Sequence, residues 1–203
     1  SDTELRKRRQ KLYGIQIWIA LPKAREETEP SFTHYAAASL PVIEGEGKTV
    51  RIIAGSLYGQ ASPVTTFSPL FYADATLQAG ASLALENEYE ERAIYLLEGK
   101  AVIQEQVFEP GRLLVFSAGD EITIQATSSA RLLLFGGEPL DGLRHLWWNF
   151  VSSSRERIEG ILRAFPTEEL DDMRREGVTT VTCEFCNTRY VFDQADLDRL
   201  KPG

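Results

Sequence analysis

The chain has 203 residues, 43% of them hydrophobic, which is enough for one substantial core and a small second one. Its 22 basic and 30 acidic residues give a net charge of -8, so most of its surface should repel a nucleic-acid backbone. No apolar run approaches the ~20 residues of a membrane span, and no signal peptide opens the sequence. Cys183 and Cys186 are its only cysteines, a usage typical of a reducing compartment. We therefore expect a cytoplasmic protein that binds neither membranes nor nucleic acid.

Short runs of alternating apolar residues, separated by turn residues, fill the sequence from about residue 14 to residue 135. Alternation with a period of two predicts strands, and a spacing of about ten residues favours an antiparallel all-β fold. The predicted strands are 15–21, 50–55, 65–76, 92–97, 100–108, 112–117, 121–126 and 131–135. Glycine-containing turns, such as Glu98-Gly99, separate them.

The hydrophobic period becomes helical after about residue 152. Ile158, Ile161 and Leu162 fall on one face, which predicts a helix that Pro166 ends. Farther on, a β-branched run at 178–182 leads into Cys183-Glu184-Phe185-Cys186, and an apolar run at 190–192 leads out. This pattern predicts a hairpin with the two cysteines at its tip.

Several segments between about residues 12 and 158 carry a family resemblance. They are 12–22 (LYGIQIWIALP), 50–55 (VRIIAG), 95–99 (YLLEG), 136–140 (GGEPL) and 144–153 (RHLWWNFVSS). They resemble the inter-barrel link and the second barrel of the pirin family of cupins. The resemblance implies a member of a two-barrel family that holds an iron-type metal in its first barrel and is linked to quercetin dioxygenase activity and transcriptional co-regulation.

The resemblance also implies the fold class and the domains. We expect a mainly β chain with a cupin barrel (a double-stranded β-helix, or jelly roll), followed by a small α+β tail like a zinc knuckle. Residues 1–40 would be linker and partial strand material from a missing first barrel. Residues 41–151 would form the pirin-like barrel, and residues 152–203 would form a helical segment and a C-x-x-C knuckle.

The general cupin metal motif can be traced onto the remaining barrel. Its ligand positions, counted from Gly80 and Gly111, are Glu86, Glu88, Arg92 or Ala93, and Leu114. A redox-active metal prefers imidazole nitrogen together with a carboxylate, and these positions hold no histidine. We keep Glu86 and Glu88 as candidate ligands, but we expect an acidic solvated loop there rather than an iron-type site.

The tail carries a second resemblance, over about residues 154–200. The segments 154–157 (SRER), 168–170 (EEL) and 181–190 (VTCEFCNTRY) are similar to the carboxyl-terminal redox switch of heat-shock protein 33 chaperones. In that family a C-x-C pair and a downstream C-x-x-C pair together hold one zinc, and only the second pair is present here. Cys183 and Cys186 could remain a reduced pair, bind zinc with the same pair of a second chain, or form a reversible disulfide.

Three functions stay open. The first is a pirin-like cupin module for binding or regulation, without a catalytic metal of its own, that forms homo-oligomers or binds a partner protein. Its barrel could take a small apolar ligand. The alternatives are a metal-dependent quercetin 2,3-dioxygenase, for which the first-barrel metal ligands are absent, and a redox-regulated chaperone or zinc-binding module. Whether the chain is an enzyme is therefore left open by the sequence.

Overall fold

A computed structural model describes residues 14–147, 150–163, 179–182 and 189–192. Two short 3-10 helices, Lys23–Arg25 and Ala37–Ser39, precede the strands. The other elements are β1 (Val42–Gly45), β2 (Lys48–Leu57), β3 (Gln60–Ala61), β4 (Leu70–Leu77), β5 (Ser82–Leu85), β6 (Glu91–Glu98), β7 (Ala101–Ile103), β8 (Gln106–Phe108), β9 (Arg112–Phe116), β10 (Ile122–Ala126), β11 (Ala130–Gly137), β12 (His145–Trp147), β13 (Phe150–Ser152), α1 (Arg155–Arg163), β14 (Thr179–Thr182) and β15 (Arg189–Phe192). No helix in these ranges is both long and apolar enough to cross a membrane.

The barrel is built from two antiparallel sheets. The larger runs in the order β1-β2-β4-β11-β6-β9, with β3 paired to β2, and the smaller runs β5-β10-β7-β8. Side chains from both sheets meet in one buried cluster, which includes Ile52, Leu77, Ile124 and Leu134. The prediction of a mainly β cupin barrel is confirmed.

The alternation along β6 shows how the sequence fixes the two faces of the larger sheet. Ile94 and Leu96 join the interior cluster, whereas Tyr95 and Leu97 pack on the opposite side of the sheet. Arg92 has the same parity as Ile94 and is 1% exposed. Because side chains alternate along a strand, an arginine at this position must enter the barrel.

The strand predicted at residues 15–21 is wrong, because this segment has no strand partner among the described residues and pairs with no sheet. Ile17 packs against the outer face of the larger sheet, whereas Trp18 is 51% exposed. Alternation of apolar side chains does not by itself make a strand when no neighbouring strand pairs with its backbone N–H and C=O groups. The apolar side chain of Ile17 instead covers a face of the larger sheet.

The single strand predicted at residues 100–108 is also wrong, because it is a hairpin. β7 and β8 pair through a two-residue turn, Gln104-Glu105, whose φ angles are 47° and 64°. Positive φ at both central residues is the geometry of a type I′ turn, which usually carries glycine or asparagine. The sequence has neither, so the usual signal for the turn was missing.

The chain beyond the barrel was predicted in part. α1 begins where the helical period begins, and its Ile158 is buried against the β12–β13 hairpin. β14 and β15 pair antiparallel from Thr179 and Phe192 to Thr182 and Arg189, so the two predicted strands of the tail hairpin are present. Residues 183–188 lie outside the described residues.

Candidate functional site at the barrel mouth

One end of the barrel brings together the positions that a cupin motif would use. At this end, β5 and β9 finish, β6 begins, and the turn after β2 lies beside the loop of residues 86–90. We call this end the mouth. It is defined by residues 56–58, 86–92 and 117–120.

The two acidic candidates have different surroundings. The Glu86 side chain is half-buried, and its Oε2 accepts a 2.9 Å hydrogen bond from the Tyr58 backbone N–H. Glu88 is exposed and belongs to the acidic loop that the sequence predicted. The structure does not bring them together with a third ligand: among the described residues, no three His, Cys, Asp or Glu side chains are grouped to hold a metal ion.

Arg92 occupies the interior of the mouth. Its Nη2 donates to the Asp120 carbonyl oxygen at 2.8 Å and to the Ser117 carbonyl oxygen at 3.1 Å, and its Nη1 donates to the Glu86 carbonyl oxygen at 3.4 Å. Its Nε is buried and has no hydrogen-bond partner among the described residues. The guanidinium therefore joins the loop after β5 to the turn after β9 through carbonyl oxygens.

Two tyrosines, Tyr58 and Tyr89, also belong to the mouth. The Tyr58 hydroxyl donates a 2.5 Å hydrogen bond to the Ala84 carbonyl oxygen, and burial, then the nearby Glu86, raises the pKa of Tyr58 well above its usual value. The Tyr89 hydroxyl lies 2.9 Å from the Ser56 hydroxyl, and its ring packs on Phe71 with centroids 5.2 Å apart. These contacts hold the acidic loop against the barrel.

The residues present do not fit an iron-type metal at this mouth. Arginine keeps its positive charge at all ordinary pH values and cannot donate a lone pair. Leu114, at the position of the last ligand, packs against the apolar core and offers no donor atom. A fixed cation inside the barrel also repels a metal dication in a medium of low dielectric constant. At this mouth a guanidinium binds backbone carbonyl oxygens in the place where a metal-binding cupin would present metal ligands.

A separate cleft lies at the other end of the strands. Its lining includes Lys48, Thr49, Thr76 and Gln78, with the β1–β2 turn at its edge. Thr76 of the cleft pairs with Arg131 of β11, whereas Arg92 of the mouth pairs with Gly136 of the same strand. The two β11 residues are five positions apart. This cleft is therefore remote from the candidate site.

Sequence reasoning identified Arg92 as a motif position but missed its partners. Ser117 and Asp120 accept these bonds through backbone oxygens, which every residue has and which the sequence therefore cannot distinguish. Tyr58 and Tyr89 lie outside the motif positions that the sequence singled out. The one available signal was the parity of Arg92 in an otherwise apolar strand, which forces the guanidinium inward.

Residues 72–171 match the family described as the Pirin C-terminal cupin domain. A pirin-like protein of Caulobacter vibrioides is 41% identical to this chain over 156 residues, covering 76% of the chain and 54% of that protein. Pirin of Rattus norvegicus is 30% identical over 159 residues, which cover 74% of this chain and 54% of that protein. The chain thus spans about half the length of these curated relatives. The family match ends before Cys183, so the zinc site and the likeness to a chaperone redox switch stay predictions.

Solved structures agree with this assignment. A crystal structure described as quercetin 2,3-dioxygenase from Acinetobacter baumannii superposes with a TM-score of 0.66 at 25% identity, covering 78% of this chain and 54% of that chain. Another structure of the same description and organism has a TM-score of 0.64 at 29% identity and covers 71% of this chain and 48% of its own. With the jelly-roll order of its sheets, this chain contains the carboxyl-terminal cupin domain of the pirin family.

Proposed function

We propose that this chain is a pirin-type cupin module for binding or regulation and that its barrel carries no catalytic metal of its own. The observation that carries the proposal is the buried Arg92, whose guanidinium lies where a metal-binding cupin would present its ligands. A binding role uses the barrel as a rigid scaffold, because its interior is filled by packed side chains. This role does not require the activity of any full-length relative, of which this chain spans about half.

The alternative is a metal-dependent dioxygenase acting on quercetin, suggested by the descriptions of the matched structures. It requires an iron-type metal bound by this chain. The only acidic residues that the motif offers are Glu86 and Glu88, and Glu86 already accepts a backbone hydrogen bond. The binding role does not require either carboxylate to coordinate a metal.

Metal loading and flavonol turnover separate the two functions. The purified chain is loaded anaerobically with iron(II), nickel(II) or manganese(II), desalted, and analysed for metal content and quercetin consumption. We expect much less than one metal per chain and no turnover above that of the free metal. A Glu86→Gln/Glu88→Gln variant is the matched control and should behave like the parent.

The opposite result has a definite form. About one metal per chain, with quercetin consumption that the Glu86→Gln/Glu88→Gln variant loses, would overturn the binding proposal in favour of the dioxygenase. Turnover that persists in this variant would also overturn the proposal, and would place the metal on other residues.

The two cysteines need their own measurement, because a zinc site there would be independent of the barrel. We propose that any bound zinc is held by Cys183 and Cys186 of two chains, which predicts about one half zinc per chain. A Cys183→Ser/Cys186→Ser variant should then lose the zinc and leave barrel stability unchanged. Zinc that survives this substitution would contradict the prediction.

A further inference from the structure

The larger sheet ends at β9, and the far edge of this strand has no strand partner within the described part of the chain. β9 pairs with β6 on one side only, from Arg92 and Phe116 to Leu96 and Arg112. A free edge leaves every second backbone N–H and C=O group available to another strand. The edge is thus a template for strand addition.

The side chains of β9 increase this tendency. Leu113 is 47% exposed and Val115 is 70% exposed on the outer face. Val107, on β8 at the edge of the smaller sheet, is 63% exposed. On the inner face, Leu114 and Phe116 are only partly buried against the core. Natural edges are usually protected by lysine, proline or a bulge, but the only charge in β9 is Arg112 at its first position.

The sequence of β9 is complementary to itself in an antiparallel pairing. If two copies pair about Leu114, Leu113 of each copy faces Val115 of the other on the outer face. On the inner face, Arg112 faces Phe116 of the other copy. The Leu113–Val115 pairs and the central Leu114 pair are apolar cross-strand pairs, which stabilise a sheet, and this register opposes no like charges within the strand.

Charge also favours a second copy of this chain over an unrelated acidic or basic strand. The turn after β9 carries Asp120 and Glu121. Arg112 begins the strand, and Glu109 before it is paired with Lys100 at 2.7 Å, so the start is net basic and the end is acidic. An antiparallel two-fold arrangement brings the start of each strand beside the end of the other. Arg112 of each copy then lies on the side of the acidic turn of its neighbour, which offsets part of the repulsion between two chains of net charge -8.

We propose that β9 is a homodimerisation strand: two copies join their larger sheets edge to edge, antiparallel about Leu114. A two-fold contact uses the same patch on both subunits, as this register requires. The contact is short, so the dimer should be weak and depend on concentration.

Light scattering coupled to size-exclusion chromatography over a range of concentrations tests the proposal. The full chain should shift from monomer to dimer below about 1 mM. Val115→Glu places a charge opposite Leu113 of the other copy and should weaken dimerisation at least about tenfold. Leu113→Lys should do the same. The double variant Leu113→Lys/Val115→Glu should dimerise again, because each lysine then faces a glutamate of the other copy.

Leu143→Glu is the matched control, since Leu143 is 76% exposed and lies outside the sheets. It should leave the dimer intact, and circular dichroism should show that every variant is folded. A parent chain that stays monomeric to about 1 mM would overturn the proposal. A dimer that Leu143→Glu disrupts and Val115→Glu does not would also overturn it, as would failure of the double variant to dimerise.

Discussion

At the scale of single residues, Arg92 shows how one charged side chain is accommodated inside an apolar barrel. Its guanidinium is 1% exposed, and its described hydrogen bonds go to three carbonyl oxygens. A buried charge is tolerated when it is hydrogen-bonded, and carbonyl oxygens do this for Nη1 and Nη2, whereas Nε has no partner among the described residues. The same bonds give the Asp120 carbonyl oxygen a donor and add a second donor to the Ser117 carbonyl oxygen, which also accepts the Asp120 N–H at 3.3 Å.

Arg92→Met should destabilise the protein by about 2–4 kcal/mol, because it removes the side-chain donor to the Glu86, Ser117 and Asp120 carbonyl oxygens inside the barrel. Arg92→Lys keeps the charge, but one ammonium group cannot reproduce the planar fork, so it should recover only part of the loss. Urea unfolding measures both changes. Arg112→Met, at an exposed arginine, is the control and should change stability by less than about 0.5 kcal/mol. Equal stability of Arg92→Met and the parent would contradict a structural role for this side chain.

At the scale of elements, the tight hairpins of the barrel depend on left-handed backbone. The β1–β2 turn is Glu46-Gly47 and the β2–β3 turn is Tyr58-Gly59, with positive φ at every position. Glycine takes the second position in both, where it adopts positive φ without a steric penalty. The β7–β8 turn has the same geometry with Gln104-Glu105, so at its second position it carries strain that glycine avoids in the other two.

Glu105→Gly should therefore stabilise the protein by about 0.5–1 kcal/mol, after allowing for the greater freedom of glycine in the unfolded chain. The side chain is exposed, so little else is lost. Glu105→Ala keeps a Cβ atom in the left-handed region and should give no gain. The midpoint of thermal unfolding distinguishes them. A Glu105→Gly variant no more stable than Glu105→Ala would show that this turn is not strained.

At the scale of the whole molecule, a buried ionic cluster fastens the segment before the barrel to the segment after it. The Arg144 and Glu26 side chains are 6% and 11% exposed, and the Arg144 Nε lies 3.0 Å from the Glu26 Oε1. The Arg144 Nη2 also donates to the Leu21 carbonyl oxygen at 2.8 Å, and Glu26 accepts hydrogen bonds from the Ser153 N–H and hydroxyl at 2.8 and 2.9 Å. Arg144 further pairs with Asp141.

Arg144→Met should destabilise the protein by about 3 kcal/mol, since removing one partner of a buried pair leaves the other uncompensated. It should also speed tryptic cleavage after Lys23 and Arg25, because residues 21–26 lose their attachment to the barrel. Arg157→Met is the matched control: its pair with Glu27 is surface-exposed and should contribute less than about 1 kcal/mol. Unchanged cleavage in Arg144→Met would show that other contacts hold this segment.

The sequence by itself predicted strands that overlap β2, β4, β6, β9, β10 and β11, because period-two alternation reports burial directly. It also placed Glu86, Glu88, Arg92 or Ala93, and Leu114 at the cupin metal positions. It also determined the pirin resemblance, which the family match bears out. It failed for residues 15–21, where an alternating segment covers a sheet face instead of joining a sheet, and for residues 100–108, where one predicted strand is a hairpin.

Only the tertiary structure decided what the charged residues do. Arg144 and Leu21 are 123 positions apart, and Arg92 bonds to carbonyl oxygens up to 28 positions away. Such partners are set by the register of distant strands and by backbone atoms that every residue shares. Neither composition nor spacing encodes them. The buried cation at the mouth, the ionic cluster of Arg144 and Glu26, and the edge of β9 that no described strand covers became visible only in the folded chain.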